Sequence, residues 1–307
     1  TFTVSTVVDG TIMDQQTAAA VENLENNDWV TFSGTGALAA TTGAALTGGA
    51  DGTVQSAAYS AYLTAIEPYK FDIMVYDGTD STVQTALLSF IKRMNDNNGQ
   101  YCQLVASDLS NPNSRYVINV NSPVNLSDGT QLTAQQATWW AGGAQAGAMY
   151  NQSLTYAQYP GAVSTVMWTT DEYAKQIQTG NFVLFAEDGV VKVMQDINTL
   201  TTYTQNIGEI YRYNRTMRLC NTIANDIFKQ FSASFIGQVN NNEQGRARFQ
   251  AAIVGYLQQI QDNQGIQNFT PEDVEVLPGT AIDAIVVNVA IQAVGSVEKI
   301  YMTVEVS

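Results

Sequence analysis

The chain has 307 residues, enough for two domains, and it is 45% hydrophobic but only 13% charged. A formal net charge of −15 argues against nucleic acid and anionic membranes as partners. Histidine is absent from the chain, which removes the Ser-His-Asp triad, the Cys-His dyad and nearly every catalytic zinc site.

The scarce charge is offset by Asn, Gln, Thr, Ala and Gly, a neutral polar surface of the kind often buried against other subunits. Cys102 and Cys220 sit in apolar patterns and read as free thiols, as in a reducing compartment; a disulfide is the alternative. No apolar run approaches the ~20 residues that span a bilayer, and no secretory signal opens the chain. Thr1 stands inside a strand-like run, so the chain is expected to be a fragment of a longer protein.

In chain order, Phe2 to Val8 reads as a strand, Asp9-Gly10 as a turn, and residues 14–26 as a short helix capped by Asp14. Trp29 to Phe32 reads as a further strand. Gly34-Thr-Gly36-Ala-Leu-Ala39 fits G-x-G-x-x-A after a strand, a dinucleotide-binding hint. No amphipathic helix follows it, and Gly43, Gly48 and Gly49 interrupt the region, which favours a linker.

From about 54 to 200, strand and helix patterns alternate. Phe71–Tyr76, Tyr101–Ala106, Tyr116–Val120 and Asn181–Ala186 read as strands. Asp80 or Ser81 caps a helix with Val83, Leu87, Phe90, Ile91 and Met94 on one face, ended by Asn97-Asn98-Gly99. Thr133 caps a helix over 134–149 whose small residues permit close packing, and Asp171-Glu172 open a short helix to Thr179. This pattern predicts a layered, largely parallel α/β sheet.

Beyond about 205, Leu219, Cys220, Ile223, Ile227 and Phe231 form one helical stripe, and Phe249, Ile253, Tyr256 and Ile260 another, with a turn at Asn240–Asn242 between them. Two strands close the chain. Ile285, Val287, Val289 and Ile291 alternate in the first. After Gly295-Ser296, Ile300, Met302, Val304 and Val306 alternate with Tyr301, Thr303 and Glu305. A terminal strand can pair within its own fold or complete a neighbour's sheet.

Chemistry-bearing constellations are few. Asp171-Glu172, Glu187-Asp188 and Glu272-Asp273 are adjacent carboxylates that point apart or sit at helix or loop starts, where negative charge is favoured. Asp96-Asn97-Asn98-Gly99 lacks the later ligands of a calcium loop. Six of the 13 basic residues, Arg212, Arg215, Arg218, Lys229, Arg246 and Arg248, lie in one short region. Arg212, Arg215 and Arg218 recur every third residue and share one band of a helix. That band is either a solvated face or a basic strip opposing an acidic protein partner.

Several longer segments then point to a family. Ser153-Leu-Thr-Tyr-Ala-Gln-Tyr-Pro-Gly161, Asp196-Ile-Asn-Thr-Leu200, Gly237-Gln-Val-Asn-Asn-Asn-Glu-Gln-Gly-Arg246, Gly265-Ile-Gln-Asn-Phe269 and Val297-Glu-Lys-Ile-Tyr-Met-Thr-Val304 resemble, in order, the tail sheath protein of contractile phages and phage-tail-like particles of Gram-positive hosts. Residues 30–53 resemble the family's entry into its middle domain. The resemblance implies an α/β plus α+β architecture: a remnant of a β-rich N-terminal domain and linker over 1–40, a subtilisin-like α/β scaffold over 41–204, and a C-terminal α+β core over 205–307 with two long helices, a small sheet and a terminal strand arm. It also implies a structural role, with no catalytic residue, cofactor, metal, nucleic acid or direct small-molecule substrate.

The expected partners are copies of the same chain in stacked hexameric rings, the tail tube protein, and the baseplate and tail terminator proteins. The expected location is a virion assembled in the host cytoplasm. Ile300, Tyr301, Met302, Thr303, Val304, Glu305 and Val306 are the expected inter-subunit strand, and Arg212, Arg215 and Arg218 the candidate tube-facing strip. The alternatives are a capsid or surface-layer subunit, or a subtilisin-like hydrolase, which lacks a base for its serine.

Overall fold

The computed structural model describes residues 1–47, 56–110 and 112–298, so the strand expected over Ile300–Val306 lies outside the described residues. The chain divides into two compact units, Thr1–Val54 and Gln55–Ser307.

In the first unit, β1 (Phe2–Val8) and β2 (Thr11–Ala18) pair antiparallel across Asp9 (φ 49°) and Gly10 (φ 78°), with a register shift between Thr6 and Val7. Two left-handed residues in a two-residue loop match the twist of the strands they join. The helix expected over 14–26 does not form, because this turn pairs residues 11–18 with β1 and cross-strand contacts override helix propensity. Asp14 lies opposite Thr6, and its carboxylate accepts from Asn27 at 2.8 Å and from Gln16 at 2.9 Å.

Trp29–Phe32 forms no strand either. The Asn27 carbonyl takes the amides of Trp29 (3.0 Å) and Val30 (2.8 Å), and Asn26 takes that of Phe32 (2.8 Å), so side chains satisfy donors that a ladder would have used. Gly34–Ala39 is extended chain pinned to the end of β2, with Val21 N donating to Gly36 O at 2.9 Å and Leu38 N to Ala19 O at 3.0 Å. No strand–turn–helix phosphate cradle is present there.

The second unit opens with α1 (Ser56–Ile66) and is built on a four-stranded parallel sheet. Its order is β3 (Ile73–Val75), β4 (Gln103–Ser107), β5 (Val117–Val120), then β9 (Asn181–Phe182). Between β5 and β9 the chain makes β6 (Val124–Leu126), β7 (Gln131–Leu132), α3 (Ala134–Gly147), β8 (Ala162–Thr165) and α4 (Thr170–Gln178). β6, β7 and β8 form a separate antiparallel sheet.

β4 is buried along its whole length and serves both faces of the parallel sheet. Leu104 and Ala106 join the core with Val83, Leu87, Phe90, Ile91 and Met94 of α2 (Ser81–Asp96), whereas Val105 joins Ala137 and Ala141 of α3. Period-2 alternation of a strand thus meets a helix on each side.

The helix starts follow their caps. Asp80 accepts from Thr82 N at 2.8 Å, and Thr133 closes a capping box with Gln136. α4 is capped by Thr169 with Glu172, two residues before the expected start. A Cβ on Gly142 would collide with Val75, the close approach that the small residues of α3 permit. The strand expected over Asn181–Ala186 splits at Val183: β9 completes the parallel sheet, while β10 (Leu184–Glu187) turns into an antiparallel hairpin with β11 (Val190–Val193). Among the described residues, only the central sheet is therefore parallel.

α5 (Asn214–Ser234) and α6 (Glu243–Asp262) form a helical hairpin, with Asn242 capping α6. Leu219 and Ile223 meet Phe249, Ile253 and Ile260 as their spacing predicts. Leu257 occupies the buried slot expected for Tyr256, whose hydroxyl instead donates to Asp226 at 2.8 Å. β12 (Ile266–Gln267) pairs with β15 (Gln292–Ala293), and β13 (Val274–Pro278) with β14 (Ile285–Val289). In β14, Ile285, Val287 and Val289 pack on the α6 core while Val286 and Asn288 face out. Among the described residues, each of these small sheets has only two strands.

Candidate functional site

The polar centre of the second unit forms where α5 begins. Arg215 and Arg218 stand one turn apart on one helix face, as their spacing requires, but that face is turned inward, leaving them 9% and 8% exposed. Arg212 lies in the helical turn Glu209–Arg212 that precedes α5.

Arginine tolerates burial only when its fork of donors is used. Arg218 donates to Asp196 Oδ2 at 3.0 Å and also to the Gln145 side chain and the Gln152 carbonyl. Arg215 donates to the carbonyls of Asn151 (2.9 Å), Gln264 (3.3 Å) and Val294. Arg212 reaches the Ile177 carbonyl in the last turn of α4, where the helix dipole favours a cation. Burial, together with the charge of neighbouring Arg218, lowers the pKa of Arg215; Glu298 opposes the shift. Arg215 and Arg218 are therefore buried ties and Arg212 is a half-buried one, so most of the band read from their spacing is turned away from solvent. Threefold spacing identifies a shared face and leaves open which way that face looks.

Asp196 is the hub. It is 1% exposed, and both carboxylate oxygens are saturated. Oδ1 accepts from Gln145 (2.7 Å) and Asn214 (2.9 Å), and Oδ2 from the Leu154 amide and Arg218 (both 3.0 Å). A carboxylate held this way has no free lone pair for proton transfer, so its role is structural.

Next to the hub, Thr155 Oγ1 accepts from the Asp196 amide at 3.0 Å and donates to Glu298 Oε1 at 2.9 Å. Ser153 Oγ donates to the same oxygen at 3.2 Å, and Gln195 Nε2 to Glu298 Oε2 at 3.2 Å. A recess of about 530 Å³ lies alongside, lined in part by Ile210, Tyr213, Arg215 and Val297. Three of the family-like segments, beginning at Ser153, Asp196 and Val297, thus converge on one cluster. Periodicity gave no sign of Asp196 or Glu298; the only signal was their place in those segments.

Neither thiol is poised for chemistry. Burial pushes Cys102 up to about 12 and Cys220 up to about 11, and both are unpaired. Among the described residues, no group of three or more Cys, Asp or Glu side chains could hold a metal ion, and no helix is long and apolar enough to cross a membrane.

Residues 52–199 match the family model of the phage tail sheath protein central domain, and residues 206–307 that of the phage tail sheath C-terminal domain. The crystal structure of a sheath tail protein from Desulfitobacterium hafniense is 39% identical with a TM-score of 0.84, covering 98% of this chain and 71% of that one. The uncharacterized protein YqbK of Bacillus subtilis is 34% identical over 332 residues, covering 99% of this chain and 71% of the relative. The helical sheath of the anti-feeding prophage in its contracted state, 18% identical with a TM-score of 0.60 over 81% of this chain and 73% of that one, shares the fold. The chain belongs to the phage tail sheath family, and it is a structural sheath subunit.

Proposed function

We propose that this subunit polymerises with copies of itself as stacked hexameric rings around a tail tube, and that contraction of the stack drives the tube through a target cell envelope. The tube protein, a baseplate and a tail terminator are the further partners, and assembly takes place in the host cytoplasm. On this reading the α/β part is a scaffold with a subtilisin-like layout that catalyses nothing, and residues Ile300–Val306 add a strand to a neighbour's sheet. The observation that carries it is the treatment of the C-terminal segment. Its root at Val294–Glu298 is clasped by the buried Arg215 and the half-buried Thr155, and β13–β14 is a two-stranded ribbon whose outer edges pair with no further strand among the described residues. Unpaired edges of this kind accept a strand from another chain.

Removal of Ser296–Ser307 from the full chain tests this. Tubes and polysheaths should be lost while the circular dichroism spectrum and melting of the body persist. Ordered tubes from the truncated chain would refute the strand's role.

A further inference from the structure

The clasp on Glu298 rests on the reading above and goes beyond it. After Val294, whose amide donates to the Gly265 carbonyl at 3.0 Å and whose carbonyl is taken by Arg215, no backbone–backbone hydrogen bond holds residues 295–298 among the described residues. Val297 is 88% exposed. The segment is positioned there by one side chain: the Glu298 carboxylate, with its hydrogen bonds from Ser153 (3.2 Å), Thr155 (2.9 Å) and Gln195 (3.2 Å).

We propose that Glu298 is a hook that sets the point at which the C-terminal segment leaves the body, and thereby the spacing of subunits joined through it. Its donors come from two elements of the α/β scaffold: Ser153 and Thr155 lie in the segment after α3, and Gln195 in the segment after β11. All three are neutral, so these contacts are hydrogen bonds and not ion pairs. Such a contact fixes a position in the extended lattice and can still be released as a unit when the lattice rearranges. Backbone pairing would have tied the same residues to one register.

The test uses the full chain with Glu298→Ala, Gln195→Glu, and the double variant Gln195→Glu with Glu298→Gln, which exchanges donor and acceptor across the contact. Two quantities are read: exchange of the Val294 amide, which donates to Gly265 at the root of the segment, in the unassembled chain, and the rise and rotation per subunit in assembled tubes by electron microscopy. Each single variant should raise exchange about tenfold or more, since hydrogen bonds to a charged group are lost. Each should also give tubes of altered rise or rotation, or none, with the melting of the body unchanged. The double variant should restore both quantities.

Unchanged exchange in the single variants overturns the hook, and so does raised exchange with an unaltered lattice. The exchange arm needs no assembly, and the truncation of Ser296–Ser307 needs no hook. Failure of this inference and failure of the sheath reading therefore give different results.

Discussion

Arg218 and Asp196 show how much one buried pair can commit. Arg218 spreads its contacts over Asp196, Gln145 and Gln152, and Asp196 adds Asn214 and the Leu154 amide. Removing one partner strands the other's charge away from water, at a cost of about 3–5 kcal/mol. Asp196→Ala should lower the stability of the body by that amount in urea denaturation. Arg218→Glu should do at least as much, since it sets two carboxylates together. A loss confined to tube binding, with unchanged urea midpoints, would instead speak for a tube-facing role of these arginines. The residue scale is also where sequence reading reached least far. Three arginines at helical spacing were visible, but whether they meet water or Asp196 depends on residues more than twenty positions away. Polar side chains carry no periodic mark of their partners.

Elements were more legible, for physical reasons that differ from case to case. α2 was readable because its apolar stripe, its Asp80 cap and its Gly99 end agree. Residues 14–26 misled because Asp and Gln at the start of an apparent helix were bound by a turn upstream, and turn geometry dictates pairing before propensity can act. The split at Val183 was invisible because Phe182, Val183, Leu184 and Phe185 around it are all buried and apolar, so no local feature marks a change of sheet. One element boundary carries a sharp expectation. Gly180 has φ +83°, and a Cβ there would sit 2.9 Å from Thr199 Cα. Gly180→Ala should cost about 2 kcal/mol or more, a left-handed penalty plus a clash with backbone, visible as a lower melting temperature. Gly189→Ala, with φ +75° but open space around it, should cost only the conformational part.

For the whole molecule, burial sets the response to alkali. Cys102 and Cys220 are pushed up to about 12 and about 11, and burial raises Tyr159, Tyr213 and Tyr256 in the same direction. The folded state thus favours neutral thiols and phenols. That contribution is complete below the unfolded thiol value of about 8.5 and is lost as pH rises through the folded values. Urea midpoints should hold from pH 7 to 8 and fall between pH 9 and 12. A flat profile over that window would mean that these groups are solvated in the native state.

A subunit of this kind is also a mechanical component, and its wiring says where tension would travel. Tension on residue 298 enters the body through its carboxylate and through the chain behind it, and two of these routes run deep. One runs through Thr155 to the Asp196 amide, the other through the Val294 carbonyl to Arg215 at the base of α5. One route ends on backbone just after β11 and the other on a side chain of α5, so a tug at the end of the chain is shared between the α/β scaffold and the helix hairpin instead of peeling either one away.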